Sequence, residues 1–166
     1  MSASKKRFIK LCVLVKSYTT AISSVLLGLV ALSLLLQVIS RTLFSFSFAW
    51  VDESSRYLMI WVSLLMASVL IHDKDLISVD FLDKFWPPFL KKYRDILIRI
   101  VFFLLFAVMT IEGFSQAIYA YNETTIALGI SWFWVYLSIP IGSLLMLLQM
   151  VFVAVVDFVG ESADKV

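Results

Sequence analysis

Residues 17–40 contain no charged side chain over 24 consecutive positions. As a helix, such a run is roughly 36 Å long, enough to cross a hydrocarbon layer of about 30 Å with some tilt. Its centre, Val25-Leu26-Leu27-Gly28-Leu29-Val30-Ala31-Leu32, offers no polar face to water. The rest of the chain offers no polar shell either. Of 166 residues, 61% are hydrophobic and 16% charged, against about 25% charged in an ordinary soluble domain. A soluble globule and a disordered chain are both disfavoured.

Three further apolar runs follow. Residues 57–71 are uncharged but too short to cross alone. Extension back to residue 51 supplies the length and puts Asp52, Glu53 and Arg56 at the membrane edge, where an arginine can snorkel. The third run occupies about residues 96–120, with Glu112 inside its far part. The fourth, residues 124–156, exceeds one span, so the crossing segment is set at 132–156, with 124–131 outside. Trp132, Trp134 and Tyr136 suit an interface belt, and Pro140 should kink the helix or open its ladder. The expected spans are thus 17–40, 51–71, 96–120 and 132–156. The expected fold is an all-α integral membrane protein, a single four-span domain over residues 1–166.

The connections carry their own signals. Residues 5–16 read as an interfacial or continuing helix, and the following run is too long for a cleaved signal. Residues 44–48 alternate apolar and small polar side chains, a strand pattern in water. Between two spans an interfacial segment is the better reading, because a lone strand leaves its backbone unsatisfied. Residues 72–95 mix Lys84, Lys91, Lys92 and Arg94 with Phe81, Phe85, Trp86 and Phe89, as an amphipathic arm on anionic headgroups does. Twelve of the 14 Lys and Arg residues precede the first run, fill the middle connection or follow the fourth. The positive-inside rule then sets both termini in the cytoplasm.

Catalytic and metal chemistry finds little support. One histidine, His72, and one cysteine, Cys12, make a poor metal or haem site and no disulfide. Cys12 reads as a small apolar filler. Asp80 and Asp83 stand in a lysine-bearing connection. A net charge of +2 without a basic face argues against nucleic-acid binding. Glu112 is the one ionisable group well inside a span. Ser24-xxx-Gly28 and Ser63-xxx-Ala67 would allow close helix approach.

The most specific constellation is Trp50-Val51-Asp52-Glu53-Ser54-Ser55-Arg56-Tyr57-Leu58-Met59-Ile60-Trp61. On a helix, Asp52 and Glu53 lie four and three residues before Arg56, so the acids can pair with it at a helix start. Trp50 and Trp61 lie about three turns apart on one face. Interfacial anchoring and a docking face for another membrane subunit are both open readings.

With Arg41 closing the first span, these residues resemble the small membrane subunit, the DctQ-type small permease, of tripartite ATP-independent periplasmic (TRAP) transporters. The family pattern opens the second span with Trp-x-x-Glu-x-x-Arg-Tyr-x-x-x-Trp, here Trp50, Glu53, Arg56, Tyr57 and Trp61. Val79-Asp80 in the middle connection and Pro140-Ile141-Gly142 in the last span extend the likeness over about residues 15–155. Many relatives carry a Gly-His pair where Asp75-Leu76 stands here, so that histidine's role does not transfer to His72.

The resemblance implies a transport component of the bacterial inner membrane, not an enzyme. It implies a large membrane subunit holding the substrate and sodium sites, and a periplasmic protein delivering carboxylates such as sialic acid or C4-dicarboxylates. This chain would be the scaffold, without a cofactor of its own, in contact with membrane lipids. Arg41, Trp50, Asp52, Glu53, Arg56, Tyr57, Trp61 and Glu112 are the candidate interface or anchoring residues, with Glu112 a partner for Arg41, Arg56 or a group on another subunit. The competing expectation is a self-sufficient homo-oligomeric transporter or channel, for which Glu112 is the best pore-lining candidate.

Overall fold

A computed structural model describes residues 3–72 and 88–161. Helix α1 runs Ala3–Phe44, α2 Ala49–His72, α3 Pro88–Tyr119, α4 Trp132–Tyr136 and α5 Ser138–Glu161. Four segments are long and apolar enough to cross a membrane: Lys10–Phe44, Ala49–Ile71, Ile96–Asn122 and Trp132–Val155. The protein is therefore an all-helical, four-span membrane protein. Of the expected arm at 72–95, residues 73–87 lie outside the described residues, and residues 88–95 are helical and begin α3. Pro88 stands at the first position of that helix, where its missing N–H is not needed.

At 42 residues, α1 is roughly 63 Å long, about twice the hydrocarbon thickness. Residues before 17 thus continue the first span as helix. Ser45 stops it with φ 50°, a left-handed conformation more often taken by glycine at helix ends. The backbone of 46–48 is neither helix nor strand. Phe46 and Phe48 meet edge to face at 4.8 Å instead, and the Val51 N–H donates to the Phe48 carbonyl at 3.1 Å as α2 begins. The alternating pattern of this segment serves a short aromatic connection.

The fourth run divides at Leu137. The Leu137 N–H still donates to Phe133 O at 2.9 Å, and the Ile141 N–H donates to Leu137 O at 3.3 Å. Pro140 lies in the first turn of α5, where lacking a donor costs little. The ladder opens one turn before the proline, which is the local disruption its sequence position implies.

The helices stand in the order α1, α2, α5, α3, with α2 and α5 central. Burial follows this order: 33% and 39% of the α2 and α4–α5 spans are buried, against 17% for α1 and 11% for α3. Ile71, Phe106, Met146 and Met150 form the core where α2, α3 and α5 meet. Apolar burial alone cannot hold helices together in lipid, so close approach and polar contacts carry more of the association. A Cβ on Gly142 would come within 2.7 Å of the Leu64 Cβ, and one on Gly113 within 2.9 Å of the Pro140 Cδ. Thr110 and Ser143 join α3 to α5 by a hydroxyl pair at 2.9 Å.

The small-residue pattern of α1 works differently from the expectation. A Cβ on Gly28 would meet nothing within 4 Å. The buried stripe is Cys12, Thr19, Ser23 and Val30, at intervals of seven, four and seven. That is the narrow seam of a helix packing on one neighbour, and Gly28 falls off it. Ser63 is likewise exposed, its hydroxyl donating to the Met59 carbonyl of its own helix at 2.8 Å, while Ala67 packs on the core.

Candidate functional site

The first two turns of α2 meet the connection between α3 and α4, and Glu53 is the meeting point. That connection begins with a 3-10 turn, Ala120–Asn122. It then folds back as a small hairpin, with an antiparallel bridge between Thr124 and Ser131. The Thr125 N–H donates to Ile130 O at 2.8 Å, and the Gly129 N–H donates to Thr125 O at 3.1 Å. Gly129 has φ 65°, which a side-chain-bearing residue adopts only with strain. Ser131 caps α4 by accepting from the Phe133 N–H at 3.2 Å, and its hydroxyl donates to Tyr121 O at 2.7 Å.

The tip of this hairpin leaves backbone donors without a partner inside the loop. Glu53 supplies one. Its Oε2 accepts from the Ala127 N–H at 2.7 Å and the Leu128 N–H at 2.9 Å. Its Oε1 accepts from the Tyr57 hydroxyl at 2.6 Å. Three donors thus satisfy one carboxylate that is only 9% exposed. The Tyr57 ring packs edge-on to Trp132 at 5.3 Å, and Trp132 lies 5.8 Å from Tyr136. Two residues of the α2 motif therefore fasten α2 to the α3–α4 connection and to the start of α4.

This differs from the pairing that helical spacing suggests. Glu53 does not pair with Arg56, because its oxygens are held by the hairpin and Tyr57. The Arg56 Nε donates to the main-chain carbonyl of Asp52 at 3.3 Å, and among the described residues no carboxylate forms an ion pair with it. A side chain four residues on from Asp52 can reach that carbonyl as readily as the carboxylate, so spacing alone does not choose between them. Asp52 and Arg56 are both exposed and share a cleft with α1.

The remaining candidates are spread out. Trp50 is exposed and Trp61 half-buried. Arg41 and Glu112 are exposed on α1 and α3, the two outermost helices, so α2 and α5 separate them. Glu112 makes no ion pair with Arg41 or Arg56 among the described residues. His72 is the last residue of α2. Cys12 is buried and free. No three His, Cys, Asp or Glu side chains converge among the described residues.

Sequence reasoning missed the other half of the site, the amides of Ala127 and Leu128. Main-chain donors leave no mark in side-chain spacing. The available signal was Gly129 between polar Thr125 and Ser131, which marks a tight turn but not what lies opposite it.

Residues 30–160 match the family described as tripartite ATP-independent periplasmic transporters, DctQ component. The sialic acid TRAP transporter permease protein SiaT of Haemophilus influenzae is 24% identical over 128 residues, covering 75% of this chain and 20% of that permease. The chain thus spans about a fifth of the length of that relative.

Proposed function

Since this chain belongs to the DctQ component family of the tripartite ATP-independent periplasmic transporters, we propose that it is the small scaffold subunit that steadies a larger transport subunit in the bacterial inner membrane. The larger subunit would import carboxylates delivered by a periplasmic binding protein and driven by a sodium gradient. Sialic acid is the substrate class suggested by the name of the Haemophilus influenzae relative. Both termini would face the cytoplasm and the Glu53 junction the periplasm.

The observation that carries this reading is how the chain uses its polar groups. Ser33 and Ser63 each donate to a main-chain carbonyl four residues back in their own helices, and of Thr110 and Ser143 one hydroxyl donates to its own helix while the other donates across to it. The Thr110–Ser143 pair joins two helices, and Glu53 holds a connection. These groups are spent on internal order, which suits a rigid support better than a conduction path. Trp50, Asp52, Arg56, Arg41 and Glu112 remain exposed for contact with a partner or with headgroups, while Glu53 and Tyr57 hold the start of α2, which carries the first three of them.

The test is co-expression with the neighbouring large-subunit gene, followed by affinity capture and uptake assays. Wild-type chain should retain a many-span partner, and Glu53→Ala should weaken that retention and lower carboxylate uptake. Undiminished capture and uptake in Glu53→Ala would falsify the scaffold role of the junction.

A further inference from the structure

The cleft between α1 and α2 is not used by the Glu53 junction. It has a volume of ≈ 370 Å³ and is lined by Val30, Leu34, Asp52, Ser55, Arg56 and Met59. Its lining changes character along its length. Asp52, Ser55 and Arg56 lie in the first turns of α2, at the α1–α2 connection. Val30 lies 14 residues before the end of α1, so the apolar end reaches roughly 20 Å towards the membrane middle.

Two charged groups at the cleft head keep capacity for a ligand. Ser55 also lines the cleft, with its hydroxyl oxygen turned into the protein rather than into the cleft. Among the described residues Arg56 uses only Nε, on the Asp52 carbonyl at 3.3 Å, which leaves both terminal guanidinium nitrogens. The Asp52 carboxylate has no partner among the described residues. An unpaired cation and anion side by side at the head of an apolar trough describe an amphiphile with both charges in its head.

We propose that this cleft binds a phospholipid of the adjacent leaflet whose headgroup carries a phosphodiester and a primary ammonium. The Arg56 guanidinium donates to the phosphate, as its fork geometry favours. Asp52 accepts from the ammonium, and the upper acyl chain lies along Leu34, Met59 and Val30. The volume is near the lower end for small-molecule sites, about 300–1,000 Å³, and so accommodates a headgroup and the first part of a chain. An acidic side chain from a protein partner would engage Arg56 but set its charge against Asp52. Free phosphate would leave the apolar end unused. The proposal rests on the membrane fold and is independent of the subunit role.

The test is native mass spectrometry of the delipidated full-length chain, supplied with equal amounts of phosphatidylethanolamine and phosphatidylglycerol. Wild-type chain should retain phosphatidylethanolamine about tenfold better, and Arg56→Gln should lose about tenfold of that binding. Asp52→Asn should abolish the preference, because only the ammonium contact distinguishes the two lipids. Leu34→Trp, which fills the trough without touching the head, should lower binding of both; circular dichroism confirms that each variant is folded. Equal retention of the two lipids by wild type, or unchanged binding in folded Arg56→Gln, overturns the proposal. So does displacement of the lipid by millimolar inorganic phosphate, which would mark a plain anion site. Loss of large-subunit capture in Arg56→Gln with lipid binding intact would mark a protein-docking cleft instead.

Discussion

At the scale of single residues, Glu53 shows how a buried carboxylate at a membrane edge is made tolerable. Burial of an acid costs free energy unless its lone pairs are filled, and here a hydroxyl and two amides fill them. Glu53→Ala removes both acceptor oxygens and leaves the Ala127 and Leu128 amides without them, so the hairpin should detach. Limited proteolysis should then cut near residues 124–130 roughly tenfold faster than in wild type. Tyr57→Phe removes one donor and leaves the two amide contacts, so its cleavage rate should lie between the two. Equal rates in all three proteins would contradict the clamp. Gln149 is the opposite case. It is fully buried on α5, and neither amide atom has a partner. Met fills a similar shape without polar atoms, so Gln149→Met should stabilise the fold by about 1 kcal/mol or more, read as a higher melting temperature in detergent.

At the scale of elements, the helix contacts turn on which small residues face a neighbour. Gly142→Ala forces a Cβ against Leu64 and should cost about 1–3 kcal/mol. Gly28→Ala meets open space and should be neutral or stabilising by up to about 1 kcal/mol through helix propensity. Thermal unfolding of the two variants under one set of conditions checks the contrast. These cases also show what the sequence could reveal. Span positions followed from charge-free length, because no other arrangement satisfies a backbone in lipid. Pro140 announced a ladder defect because it has no donor. The seam of α1 was not legible, since Ser24-xxx-Gly28 and the stripe through Cys12, Thr19, Ser23 and Val30 look alike until a neighbour selects one. Glu53 stood out by type and place. Its hairpin partners did not, because they are main-chain groups more than seventy positions away.

At the scale of the whole molecule, the order α1, α2, α5, α3 leaves two lightly buried helices at the edges of the array. Such a shape offers wide lateral surface for its size, which suits a subunit held between lipid and a larger partner. The basic residues predict that the hairpin end faces away from the cytoplasm, so a periplasm-active reporter fused after Asn122 should be active. The most direct test of the scaffold account is carboxylate uptake into sodium-loaded-gradient proteoliposomes containing this chain alone, the large subunit alone, or both. The account predicts uptake only when both are present, with the two recovered as one complex. Uptake by this chain alone would contradict it and would favour a self-sufficient transporter.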